Sequence, residues 1–134
     1  MFTMTEQAVS ASLAAITGMQ VYPLALPDKV REGVVFQRIS DPLLGMVENS
    51  GVVAIRMQVS FVLLDDYSRL LFLDAEVWEV WKKIIHSTLE GQHVQRIERE
   101  GLHQDFEDFY VGKIPHRQYR LVRDYIFICP EDEK

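Results

Sequence analysis

Val53-Ala54-Ile55-Arg56-Met57-Gln58-Val59-Ser60-Phe61-Val62-Leu63 alternates with a period of two. Side chains on a strand point alternately to its two faces. Val53, Ile55, Met57, Val59, Phe61 and Leu63 therefore share one face, and Ala54, Arg56, Gln58 and Ser60 share the other. The pattern predicts a strand over 52–64 with one buried face and one polar face. A long helical period follows at once, with Asp65 or Asp66 as its cap. A strand and a helix of this kind, side by side, are the skeleton of a small α+β domain. The functional question then falls on the polar face and the loops.

The helical period is read from about Asp66 to Glu90, with Gly91 as its stop, a length of roughly 37 Å. On a helical wheel Leu70, Leu73, Val77, Val80, Trp81, Ile84 and Thr88 form a central apolar stripe. Leu71, Trp78, Ile85 and Leu89 form a second stripe beside it. This arc covers nearly half the circumference, wider than one sheet face requires. The surplus meets either the first helix or another subunit. Trp78 and Trp81 are read as core aromatics before any ligand cage. Phe72 stands on the polar side and is a candidate contact residue.

Upstream, Thr3 and Glu6 have capping-box spacing, Val9, Leu13 and Ile16 recur at helical spacing, and Gly18 is a stop. Pro23 and Pro27 bias residues 19–32 to extended backbone. Val34–Ser40 reads as a strand before Asp41-Pro42. Residues 41–51 read as a loop carrying Leu43, Leu44, Met46 and Val47. Such apolar loop residues either bury under the sheet or contact a partner. Downstream, Val94–Glu100 reads as a short strand, 101–112 as an acidic-aromatic loop, and Arg117–Cys129 as a long final strand. The tail 131–134 is expected to be disordered. The expected order is α-β-β-α-β-β: one domain over 1–134, a mainly antiparallel four-stranded sheet with both helices on one face.

A chain of 134 residues suits one domain and buries roughly 68% of its unfolded surface on folding, enough for a core without staples. The single cysteine, Cys129, excludes an intrachain disulfide and points to a reducing compartment. No run approaches about 18 consecutive apolar residues, so no membrane span is expected. No basic region precedes the apolar part of the N-terminus, so no signal peptide is expected. The net charge is −6, and no basic patch offers itself to phosphates.

Chemistry-bearing motifs are sparse. His86, His93, His103 and His116 lack the spacing of a metal site. His103, Asp105 and His116 form the one constellation an enzyme reading could use. Glu98 and Glu100 alternate with Ile97 and Arg99 like the wet face of a strand. No nucleophile elbow, phosphate loop or dinucleotide fingerprint occurs. Arg56 and Gln58 are either a solvated face or an intersubunit contact, a role arginine serves well.

Val21-Tyr22-Pro23, then Leu26-Pro27, then Val34-Val35-Phe36-Gln37-Arg38-Ile39-Ser40 resemble the opening of the phage tail completion family. These small proteins join tail to head in long-tailed phages and are similar in role and fold to tail terminators. The resemblance continues through Arg56-Met57-Gln58-Val59-Ser60-Phe61, the helix after it, the acidic-aromatic segment Asp105–Tyr110, and Tyr119-Arg120 with Asp124-Tyr125. It covers roughly residues 13–128. Two features depart from the family: the helix is bulkier, with Leu70, Leu71 and Trp78, and the 41–51 loop is more apolar.

The resemblance implies a homo-oligomeric ring, expected to be hexameric, at the head-proximal end of the tail tube. Its partners would be other copies of the chain, the major tail protein and the head connector. DNA would only pass through, and an acidic lumen would let it slide. The implied location is the virion tail, assembled in the host bacterial cytoplasm. No catalysis, cofactor or metal is implied. Leu43, Leu44, Met46, Arg56, Gln58, Phe72 and Trp78 are the assembly-interface candidates. The alternatives are a monomeric module for a peptide or small ligand, and a metal-dependent or acid–base enzyme.

Overall fold

The computed structural model describes residues 4–39 and 52–130. Helix α1 (Met4–Thr17) leads into a short strand β1 (Val21–Pro23) and then β2 (Gly33–Arg38). The alternating segment forms β3 (Val52–Leu64), followed by helix α2 (Tyr67–Trp81). A small hairpin, β4 (Ser87–Leu89) and β5 (Gln92–Val94), precedes two long strands, β6 (Arg96–Val111) and β7 (Ile114–Pro130).

The fold is α+β, with a mixed sheet of five strands in the order β1-β2-β3-β7-β6 and a separate two-stranded sheet, β4-β5. The expected four-stranded sheet gains a strand because Val21–Pro23 pairs parallel to β2. The other neighbours in the main sheet are antiparallel.

The inward face of β3 carries Ile55, Met57, Val59, Phe61 and Leu63, each nearly or fully buried. β7 lies antiparallel beside it and sends Leu121, Tyr125, Phe127 and Cys129 into the same layer. Ala8, Val9 and Leu13 of α1 and Leu70, Leu73, Val77 and Trp81 of α2 join these side chains in one core. Trp81 is its centre. Its ring meets Tyr125 edge-on at 4.8 Å and Phe127 at 5.2 Å. Its Nε1–H donates to Ser12 Oγ across 2.9 Å, tying the two helices together.

Helix α2 begins where Asp66 accepts the Arg69 N–H at 3.0 Å. It ends at Trp81, nine residues short of the expected Glu90. The periodic apolar residues beyond it serve the β4-β5 hairpin, which buries Leu89 and Val94 against the core. Glu90 and Gly91 both have positive φ, 48° and 86°, as a two-residue hairpin turn of the primed kind requires. The acidic-aromatic stretch, expected as a loop, is the body of β6. It is an edge strand exposed almost throughout, so it carries no burial alternation to read.

Candidate functional site: the open sheet face and the hairpin arm

The helices cover one face of the sheet, and the ladders fix what lies on the other. Reading across them, Gln37, Gln58, Asp124 and Glu100 form one row. Val35, Ser60, Val122 and His103 form the next, followed by Val62, Arg120 and Asp105, and then Gln118 and Glu107. The segment after β1 walls this face on one side, and β6 walls it on the other. Between them lies a cleft of about 530 Å³ lined by Leu24, Leu26, Gln58, Gln118 and Glu107, among others.

Leu24 is 72% exposed at the rim of this cleft. Its φ is 71°, and the Ala25 N–H donates back to the Pro23 carbonyl at 2.8 Å. A hydrogen bond two residues back around a residue of positive φ is the rare, strained form of the γ-turn. Strain of this order costs about 1–3 kcal/mol and persists where the surroundings hold it. Here the Leu24 N–H is fastened to the Phe36 carbonyl at 2.9 Å. The result is a large apolar side chain held out into solvent.

Strand β3 stops pairing with β7 at Leu64 opposite Gln118. Beyond that point the ladder joins β6 and β7 alone, through Asp108–Arg117, Phe109–His116, Tyr110–Pro115 and Val111–Ile114, with the Asp65 N–H donating to the Arg117 carbonyl at 2.8 Å and Arg31 over the Phe109 ring at its root. The two strands therefore run on as an arm for roughly 13 Å. The tip is the two-residue turn Gly112-Lys113. Gly112, at the first central position, has φ 64°, which the turn needs and a side chain would resist. Tyr110 is 69% exposed, Val111 52% and Ile114 61%. By register Val111 and Ile114 lie on the open face and Tyr110 on the helix side, so the tip is apolar on both faces.

The base of the arm is pinned by charge. The Asp65 carboxylate accepts the Arg117 backbone N–H at 2.8 Å and lies 2.6 Å from His116 Nδ1. The Arg117 N–H first, and His116 second, hold the Asp65 carboxyl below the usual range. Arg117 grips Asp108 through two nitrogens, at 2.7 and 3.2 Å. This pairing lowers the Asp108 carboxyl and raises the guanidinium. Partway down β6 the ladder is interrupted, with Gly101 and Leu102 opposing Arg123 alone. Gly101 has φ 57°, the conformation of a glycine bulge that bends and twists the strand.

The sequence candidates scatter across the molecule. Leu43, Leu44 and Met46 lie outside the described residues, as do Thr3 and the tail. Arg56 and Gln58 stand on the open face. Arg56 Nη1 is 3.0 Å from Glu100 and 3.5 Å from Asp124, an intrachain ion trio. Gln58 lines the cleft. Phe72 and Trp78 belong to α2, on the far side of the sheet. Phe72 is 60% exposed. Trp78 is half-buried, packed on Tyr125, with the Arg99 guanidinium 4.9 Å over its ring. The enzyme constellation is not gathered: His103 pairs with Asp105 at 3.3 Å, while His116, paired with Asp65, lies four ladder positions from Asp105 and six from His103, roughly 13 and 20 Å. Sequence reading missed Leu24 and the apolar tip. Val111-Gly112-Lys113-Ile114 was the available signal, a glycine-led turn between two apolar residues.

No protein-family model matches this chain, and no curated protein matches it.

Proposed function

We propose that this chain is a structural assembly subunit. In the manner of the tail completion proteins it resembles in sequence, it would form a ring at the head-proximal end of a phage tail tube. The observation that carries this reading is the arm. It extends past the sheet and presents Tyr110, Val111 and Ile114 to solvent on both faces. Such side chains gain by being covered, and covering them requires another molecule.

The size of that gain sets the expected behaviour. Fully burying an exposed side chain of this kind is worth roughly 1.5–3 kcal/mol. All three are already part-buried, so together they offer about 3–5 kcal/mol. Rigid-body association alone costs about 4 kcal/mol or more. A single tip contact is therefore weak. Several contacts closing a ring, or a tail tube acting as template, make it productive. In the constellation an enzyme reading would use, Asp105 is engaged by Arg120 and His103, and His116 is engaged by Asp65.

One observation favours a second reading, a binding module for a peptide or small ligand: the cleft combines an apolar wall with a floor of side-chain amides. The test is to mix the full chain with purified tail tubes and view them by electron microscopy. Caps on one end of each tube are expected. Bare tubes, together with genomic neighbours unrelated to a head connector or major tail protein, would overturn the proposal.

A further inference from the structure

We propose that the arm tip of one subunit seats in the open-face cleft of the next copy of this chain, so that assembly is head-to-tail. This rests on the assembly reading above and names the contact through which it works. Three observations converge on it.

The first is size. The cleft floor spans β2, β3 and β7, two strand spacings or roughly 10 Å. The tip is a two-stranded turn whose backbones lie about 5 Å apart. It fits between the wall at Leu24 and the wall at β6. The second is chemistry. The tip presents Val111 and Ile114 towards the open-face side, and the cleft offers the strained, outward-held Leu24 with Leu26 beside it. Lys113 is the only charge in the turn. Glu107, on the cleft rim, forms no ion pair among the described residues, whereas its neighbour Asp105 is engaged by Arg120 and His103. A seated tip can bring Lys113 to Glu107.

The third is reach. β6 forms one wall of the cleft and then runs away from it for four ladder positions to the tip. An arm cannot fold back into the cleft at its own root, so the occupant is another copy. Tip and cleft are different surfaces, which makes the contact heterologous. Contacts of that type close into rings when the rotation per subunit permits.

The experiment uses the full chain with Ile114→Cys and Gln58→Cys, separately and together, and a short thiol cross-linker. Cys129 is buried and stays silent. The double variant is expected to give a ladder of dimers, trimers and larger species. An equimolar mixture of the two single variants is expected to give dimers and nothing larger. Lys113→Glu is expected to weaken association about fivefold, and adding Glu107→Lys to restore it. Cross-linking of Ile114→Cys to itself would show tip-to-tip pairing and overturn the proposal. Growth of mass in light scattering without tip-to-cleft cross-links would also overturn it while leaving the assembly reading intact. A chain that stays monomeric and uncross-linked, both alone at its highest soluble concentration and in the presence of purified tail tubes, would overturn both.

Discussion

Asp74→Ala is expected to be among the most damaging single charge removals in the described fold. Asp74, on α2, is 7% exposed on the helix side that meets the sheet. Its two carboxylate oxygens receive Arg123 Nε and Nη2, each at 3.0 Å, and Arg99 Nη1 stands 3.8 Å away. Asp74, through its hydrogen bonds to Arg123, holds that guanidinium above the usual arginine range. Removing the carboxylate strands two cations between helix and sheet. Breaking a buried pair from one side costs about 3–5 kcal/mol. The Arg123 side chain keeps 17% exposure and a bond to the Gly101 carbonyl at 3.2 Å, which soften the loss. The expected cost is about 3 kcal/mol, a fall in Tm of roughly 10 °C for a chain of this size. Asp108→Ala breaks an equally well-formed bidentate pair, but its partners are 58% and 45% exposed. Exposed pairs are worth about 0–1 kcal/mol. Urea unfolding of both variants beside the parent chain decides the matter. Equal losses for the two would refute the claim that burial, rather than geometry, sets the value of these pairs.

Val59→Asp is expected to abolish folding, because it places an unpaired charge in a fully buried position; a cooperative melt near the parent Tm would contradict this. Phe72→Asp is expected to leave the melt within about 0.5 kcal/mol of the parent, since the side chain is 60% exposed, and to reduce assembly on tail tubes. Asp65 has a lowered pKa in the folded chain. Its contribution to stability is present above the ordinary carboxylate value of 3.8 and is lost as pH falls through the lower folded value. Asp65→Asn is therefore expected to be less stable than the parent at neutral pH, with the gap closing below pH 3.8 in acid titrations followed by circular dichroism.

What the sequence discloses depends on burial. β3 is legible because one of its faces is dry and the other is not. Leu70, Leu73, Val77 and Trp81 are legible on α2 for the same reason at the helical period. The start of β6 falls within the strand read at Val94–Glu100, but beyond Glu100 it is hidden, because an edge strand wetted on both faces has no reason to alternate and because the bulge at Gly101 changes which residues point inward. Arg99 points to the helix side before it, and Phe106 does so after it. The end of α2 is hidden by coincidence. Ile84, Thr88 and Leu89 continue a helical spacing while answering to a hairpin. Gly91, read as the stop of this helix, does have positive φ, but the turn it serves joins two strands. The candidate site was half visible. Gln58 declares itself on the polar face of β3, whereas the strain at Leu24 depends on a hydrogen bond to Phe36, which only the assembled sheet supplies.

The bulge at Gly101-Leu102 separates where the arm aims from what it carries. Deleting one of these two residues would let β6 run regularly against β7 and swing the tip to a new angle. Every side chain beyond it would keep its partner and its face, because the pairing from His103 to Val111 is fixed by the turn at Gly112. In an assembly built through this arm, that angle sets the rotation between successive copies. The circumference of the finished circle is then within reach of the gain or loss of a single codon.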